Sequence, residues 1–258
     1  MLISSGLLRS CSIPRSCTKK VTRQRRKESY QRAAAALSSR MVASTQAWLD
    51  RVVIAEKLCP FAPPLTAANT LRIVESTAVN EKQAVAHVKK EVELLLLSSA
   101  KDDSEGTVKD NTAIGLTSTT PHHETTLVVF DAPFVQDFRD FVRLSWTLQE
   151  EIIVGENHLA ELQLVLFHPT ATHQTYSSHA GDGNGTAADY TIRSPYPVVH
   201  LLRKVDVMRA EMGGYPNLEE LPARNKRKLL AQGLSVCQAR LEECFVVVDK
   251  DDDKQKLI

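Results

Sequence analysis

Apolar positions alternate with polar ones in two different periods along this chain, and the periods mark its elements. Residues 45–58, "TQAWLDRVVIAEKL", put Trp48, Val52 and Ala55 on one stripe with Leu49 and Val53 beside it, which predicts an amphipathic helix. The helix must stop near "CPFAPP", because a residue before proline avoids the helical region. "TLRIVES" (70–76) is short and β-branched and predicts a strand. Asn80 is placed to cap the next helix, with Gln83 three residues on as in a capping box. That helix carries Val85, Val88, Val92, Leu95 and Leu96 at helical spacing.

"TTLVVFD" (125–131) and "ELQLVLF" (161–167) predict two more strands, the last stopped by His168-Pro169. Between them Pro133 opens a helix with Phe134, Phe138, Phe141, Val142, Leu148 and Ile152 on one side. Residues 98–124 are polar and without period, which reads as an inserted loop, and 170–190 form a second long loop containing "GDGNG". Further helices are predicted at about 196–211 and 217–232, the second stopping at Gly233. "CFVVV" (244–248) reads as an extra edge strand. The order of elements predicts an α/β (or α+β) fold, with a small, mainly parallel sheet of three to four strands, crossover helices and a C-terminal helical section. Glu75, Asp131 and His168 stand at the strand ends, the rim where open α/β sheets bind ligands.

Charge divides the chain. Residues 1–40 hold ten Lys/Arg against one acid, Glu28. This leaves 22 basic and 30 acidic residues of the chain's 32 and 31 for the rest. An Arg- and Ser-rich, acid-poor start fits a transit peptide, so residues 1–44 are expected to direct import into a mitochondrion or plastid. A basic arm that binds nucleic acid is the other reading of the segment. Met41 is an alternative start that would leave a cytoplasmic form. One α/β domain is expected over 45–235, followed by an acidic tail, 236–258. The acidic remainder argues against nucleic acid as a partner, and no apolar run reaches the ~20 residues that span a bilayer. Three cysteines remain past the segment, Cys59, Cys237 and Cys244, an odd count without CxxC spacing. Neither a disulfide framework nor a four-cysteine zinc site is expected.

The chemistry is expected around "TIRSPYPVVHLLRK" (191–204). Read as a helix start, Ser194 is the N-cap and Pro195 the first helical residue. Tyr196, His200 and Arg203 then share a face opposite the buried stripe Val198, Leu201, Leu202 and Val205. Free helix N–H groups beside Arg193 would make an anion site. An ordinary capped helix, with Arg193 paired to a carboxylate, is the bland alternative. His168 reads equally as an acid/base group and as a ring bonded to a backbone carbonyl. Cys59 stands at an expected helix C-terminus, which disfavours a reactive thiolate and suggests a small buried apolar residue. A zinc site from His168, His200 and Cys59 is the weakest option, and no cofactor motif is evident. "GDGNG" lacks the Lys and Ser/Thr of a P-loop, and the run Arg224, Lys226, Arg227, Lys228 reads as a solvated helix face.

"WLDRVVIAEKLCPFA" (48–62), "ETTLVVF" (124–130), "DFRDFV" (137–142), "LVLFHP" (164–169) and "DYTIRSPYPVVHLLRK" (189–204) together resemble the family called domain of unknown function 1415, over about 45–235. The resemblance implies a site at the matching motif residues Cys59, Pro60, His168, Arg193, Ser194, Pro195, Pro197, His200 and Arg203. It supplies no reaction. This sequence departs from the family pattern at Ile192, where Asn is usual, and at Lys204, where Glu is usual. The expected function is a pocket for a small carboxylate or phosphate, with His168 and His200 moving protons in an acid/base or hydrolytic enzyme. Arg193, Ser194, Tyr196, Arg203 and Asp131 would bind the ligand. A non-catalytic binding or assembly factor in an organelle is the alternative, and a thiol- or metal-dependent enzyme the third.

Overall fold

The computed structural model describes residues 40–99, 124–173, 185–212 and 218–245. The basic segment up to residue 39, most of the expected insertion, most of the "GDGNG" stretch and residues 246–258 lie outside the described residues.

The first helix, α1 (residues 40–54), closes with a π-helical turn over Leu49–Ile54. It buries Met41, Trp48, Leu49, Val52 and Val53. A short helix, α2 (Ala62–Ala67), leads into strand β1 (Leu71–Ser76). Helix α3 (Glu81–Ser99) follows. Asn80 Oδ1 accepts the Gln83 N–H, while Gln83 Oε1 accepts the Val79 N–H, each at 3.0 Å. This is the reciprocal cap expected from the sequence, with Gln83 reaching one residue further back. Strand β2 (Thr125–Phe130) precedes α4 (Phe138–Leu148), which Asp137 caps by accepting the Arg139 N–H. Strand β3 (Leu162–Phe167) is next.

The predicted helix at 196–211 is two elements: strand β4 (Val198–Arg203) and helix α5 (Lys204–Met212). "VVHLLR" satisfies both periods, and a short apolar run does not separate a buried strand from a helix. Here the β-branched pair after Pro197 lies between β2 and β3, where its backbone completes two ladders. The sheet order is β1-β2-β4-β3. β1 and β2 are parallel, and β4 runs antiparallel to both its neighbours, so β1, β2 and β3 share one direction.

Helices cover both faces. Val74, Val128, Phe130, Val199, Leu201, Leu164 and Leu166 pack with α3 and α4 in one core. Leu71, Ile73, Leu127, Val129, Val198 and Phe167 pack with α1 and the C-terminal helices in the other. Those helices are α6 (Leu221–Gln232) and α7 (Leu234–Glu242), divided at Gly233, whose φ of 90° favours glycine. Helix α7 occupies part of the stretch expected as a tail. Cys237 and Cys244 are buried in the second core, so the described part of this stretch packs against the domain. Cys244, expected to open an edge strand, lies in a turn.

Candidate functional site

The two histidines expected to share a pocket lie on opposite faces of the sheet. The His168 ring is buried against Phe138 and Phe141 of α4, with ring centroids 5.4 Å away in each case. Its Nε2–H donates to the Val135 carbonyl at 2.9 Å, and Nδ1 accepts the Thr170 N–H at 3.1 Å. Both nitrogens are thus used, and the ring is held as one neutral tautomer. Burial pushes its pKa down, against the opposing effects of Val135 and Asp137.

His200 alternates with Val199 and Leu201 along β4, so its ring points into the other core, beside Phe167. The Thr125 hydroxyl donates to the Leu201 carbonyl at 2.8 Å, which leaves its oxygen to accept His200 Nε2–H at 2.6 Å. Burial alone lowers the His200 pKa to about 4. The strand also separates residues that a helix would have grouped. Tyr196 and His200 keep the same parity, while Arg203 falls on the other face. Arg203 is almost fully buried, with Nε bonded to Asp206.

The expected anion site loses its physical basis. No helix starts at Ser194; its buried hydroxyl closes a turn onto the Tyr196 carbonyl. Arg193 lies inside its own loop. Its Nε donates to the Ala171 carbonyl at 3.0 Å, and its guanidinium sits 4.7 Å above the Tyr190 ring. Gly185 must be glycine to admit it: φ is 59°, and a Cβ there would stand 2.6 Å from Arg193 Nη2 and 2.8 Å from Asp189 Oδ2. Asp189, buried and unremarked in the sequence, ties the loop down by accepting the N–H groups of His173 and Thr186.

Cys59 is not simply at a helix end. It lies between α1 and α2, and the N–H groups of Phe61 and Ala62 reach its sulfur. Burial outweighs both and pushes the thiol up. The basic run on α6 is also not wholly solvated. Arg224 Nη2 donates to the Lys57 carbonyl and Lys228 Nζ to that of Glu56, while Asn225 Nδ2 donates to the Leu58 carbonyl. Together they cap the chain leaving α1.

What does converge is at the carboxyl rim, on the α1 side of the sheet. Glu75 pairs in register with Val129, and Val129 with Val198. The Phe130 N–H bonds the Pro197 carbonyl at 2.9 Å, so the next pair outward brings Asp131 opposite Tyr196. Glu75, Asp131 and Tyr196 share one face by alternation. Asp131 is exposed and accepts Gln136 Nε2 at 3.0 Å. Glu75 Oε2 is buried and has no hydrogen-bond partner among the described residues. Burial raises the Tyr196 phenol pKa, Asp131 and Glu75 add to the rise, and Arg40 opposes it. Asp131, Glu75 and Arg40 therefore lie within electrostatic reach of the Tyr196 hydroxyl, and there the carboxylates outnumber the guanidinium. Sequence reading marked Glu75 as a strand end without giving it a role.

Among the described residues, no three or more His, Cys, Asp or Glu side chains are grouped to hold a metal ion. No helix among them is long and apolar enough to cross a membrane.

The fold and its rim define an α/β protein with helices on both sheet faces and an acidic, tyrosine-bearing strand edge. The chain belongs to the family described as protein of unknown function (DUF1415), whose model matches residues 40–109 and 104–239. No curated protein and no solved structure matches the chain.

Proposed function

We propose that the chain is a non-catalytic binding protein whose acidic rim accepts a cationic group of its ligand. The buried, unbonded Glu75 Oε2 beside Asp131 and Tyr196 carries this reading. A carboxylate oxygen withdrawn from water without a donor costs roughly 1–3 kcal/mol or more. A ligand ammonium or N–H would remove that cost. The histidines support the non-catalytic side: each gives its N–H to an internal acceptor, and they face different cores. An anion at this rim would meet two carboxylates, which weakens the expected carboxylate or phosphate pocket. Action inside a mitochondrion or plastid is part of the same proposal, supported by the basic composition of residues 1–40.

Thermal unfolding with added ligand tests the charge preference. Methylammonium chloride is expected to raise Tm above a sodium chloride control of equal ionic strength, while acetate and phosphate leave it unchanged. Glu75→Gln is expected to remove the effect. Stabilisation by phosphate or acetate, without any by methylammonium, would reinstate the anion pocket.

A further inference from the structure

One edge of the sheet is unfinished. β3 ends the strand order and is bonded to β4 alone. The Lys204 N–H bonds the Glu161 carbonyl at 2.7 Å, one position before the pair Leu162 and Arg203. Backbone groups of an antiparallel strand alternate in direction. Gln163, Val165 and Phe167 therefore turn theirs to β4, while Leu162, Leu164 and Leu166 turn theirs outward. The β2–β4 ladder agrees. The Phe130 N–H on the Pro197 carbonyl commits Val199 and Leu201 to β2, and leaves Val198, His200 and Leu202 for β3.

Only the middle of that outer edge is open. The Leu162 N–H is given to the His158 carbonyl at 3.0 Å. Past the strand, the His168 N–H goes to the Ile192 carbonyl, and the His168 carbonyl accepts the Ala171 N–H, both at 3.1 Å. Leu164 and Leu166 have no backbone partner on this side among the described residues. The open groups are thus symmetric about Val165, and a strand of this kind matches itself. Across a two-fold axis at Val165, each open N–H of Leu164 meets an open carbonyl of Leu166 of the second copy, and the reverse. Leu162 falls opposite His168, where the backbone is already engaged. Val165 faces its own copy in a non-hydrogen-bonded pair, with Cα atoms about 4.5 Å apart.

Side chains favour the same pairing. No residue from Leu162 to Phe167 is charged or a proline, the residues that guard edge strands. Leu164, Val165, Leu166 and Phe167 stay half-buried, whereas every residue of β2 is buried. β1, at the other edge, carries Arg72 and Glu75. A second copy sets valine on valine at the axis and no like charges opposite one another. We propose that β3 of a second copy completes this edge, making a two-fold dimer with one continuous sheet in register about Val165.

Sedimentation velocity of the full chain is expected to show monomer giving way to dimer as concentration rises. Val165→Lys and Val165→Glu each set like charges together at the axis. Each should stay monomeric with an unchanged far-ultraviolet circular dichroism spectrum, and an equimolar mixture of the two should recover the dimer. Oxidation reads the register. Val165→Cys should link two copies by a disulfide that dithiothreitol reverses, beyond any seen in the parent chain. Gln163→Cys, displaced along the strand from its own copy, should not. If the charged variants lose their fold, the cysteine variants still decide. A parent chain that stays monomeric at every concentration would overturn the proposal. So would a dimer that both charged variants retain, or equal cross-linking by the two cysteine variants.

Discussion

Acidification should destabilise this protein well before its carboxylates titrate, and His200 is the reason. Its half-buried ring packs beside Phe167, its one N–H is given to Thr125, and no charged group stands among the causes of its shift. Its pKa falls from 6.5 to about 4 on folding. A histidine with a depressed folded pKa takes up its proton in the unfolded chain first. Its contribution is therefore fully present above pH 6.5 and is lost as pH falls from 6.5 toward 4. Between pH 7 and pH 5 the linkage amounts to about 2 kcal/mol, approaching about 3 kcal/mol below pH 4. His168 and His173, both also lowered chiefly by burial, act in the same direction. Urea unfolding at pH 7, 6 and 5 measures the loss. The comparison is His200→Gln, which keeps an N–H for Thr125 but cannot titrate. The variant should lose about 2 kcal/mol less than the parent over this range. Equal pH slopes for the two proteins, or a His200 NMR titration near 6.5, would refute the burial argument.

Other predictions follow from the same contacts. His168→Ala should cost about 3–5 kcal/mol in urea unfolding, since it empties a site between two phenylalanines and strands the Val135 carbonyl and Thr170 N–H. His168→Phe should recover part of that loss by filling the space. Glu56→Gln should cost about 1–3 kcal/mol, because Glu56 joins α1 to Gln232, Lys228 and Arg240. Burial raises the Glu56 carboxyl, but these partners outweigh it and hold the pKa below normal, so this contribution is present above 4.5 and lost as pH falls through the lower folded value. Cys59 should react slowly with a thiol reagent at pH 7, burial having raised its pKa; fast alkylation would revive the thiol-enzyme reading. Residues 1–44 fused to a fluorescent reporter should carry it into an organelle, and a diffuse cytosolic signal would end the transit-peptide reading.

Local signals in the chain made three strands and most helices readable. β-branched runs mark β1 and β2, and the Asn80 and Gln83 pair marks the start of α3, because these depend on neighbours in sequence. β4 was not readable that way. Val198, Leu201 and Leu202 fit a helical stripe, and only the ladders to β2 and β3 decide for a strand. The mistaken helix carried the anion site with it, since Arg193 and Ser194 gained their expected role from a helix start. The stretch after Gly233 was misread for a different reason. Its charged end hid a short helix, whose Cys237, together with Cys244 in the turn that follows, reaches the core. Glu75 and Asp131 were placed at the right rim by strand ends alone. Their company with Tyr196 depends on strand register, which no local pattern reveals.

A crystal structure of the full chain grown in methylammonium chloride tests the central claim most directly. The account predicts density for the cation at the strand carboxyl rim, with an N–H donated to Glu75 Oε2 on the face it shares with Asp131 and Tyr196. A rim in which the Arg40 guanidinium bonds Glu75 Oε2 and leaves no cation there would contradict it.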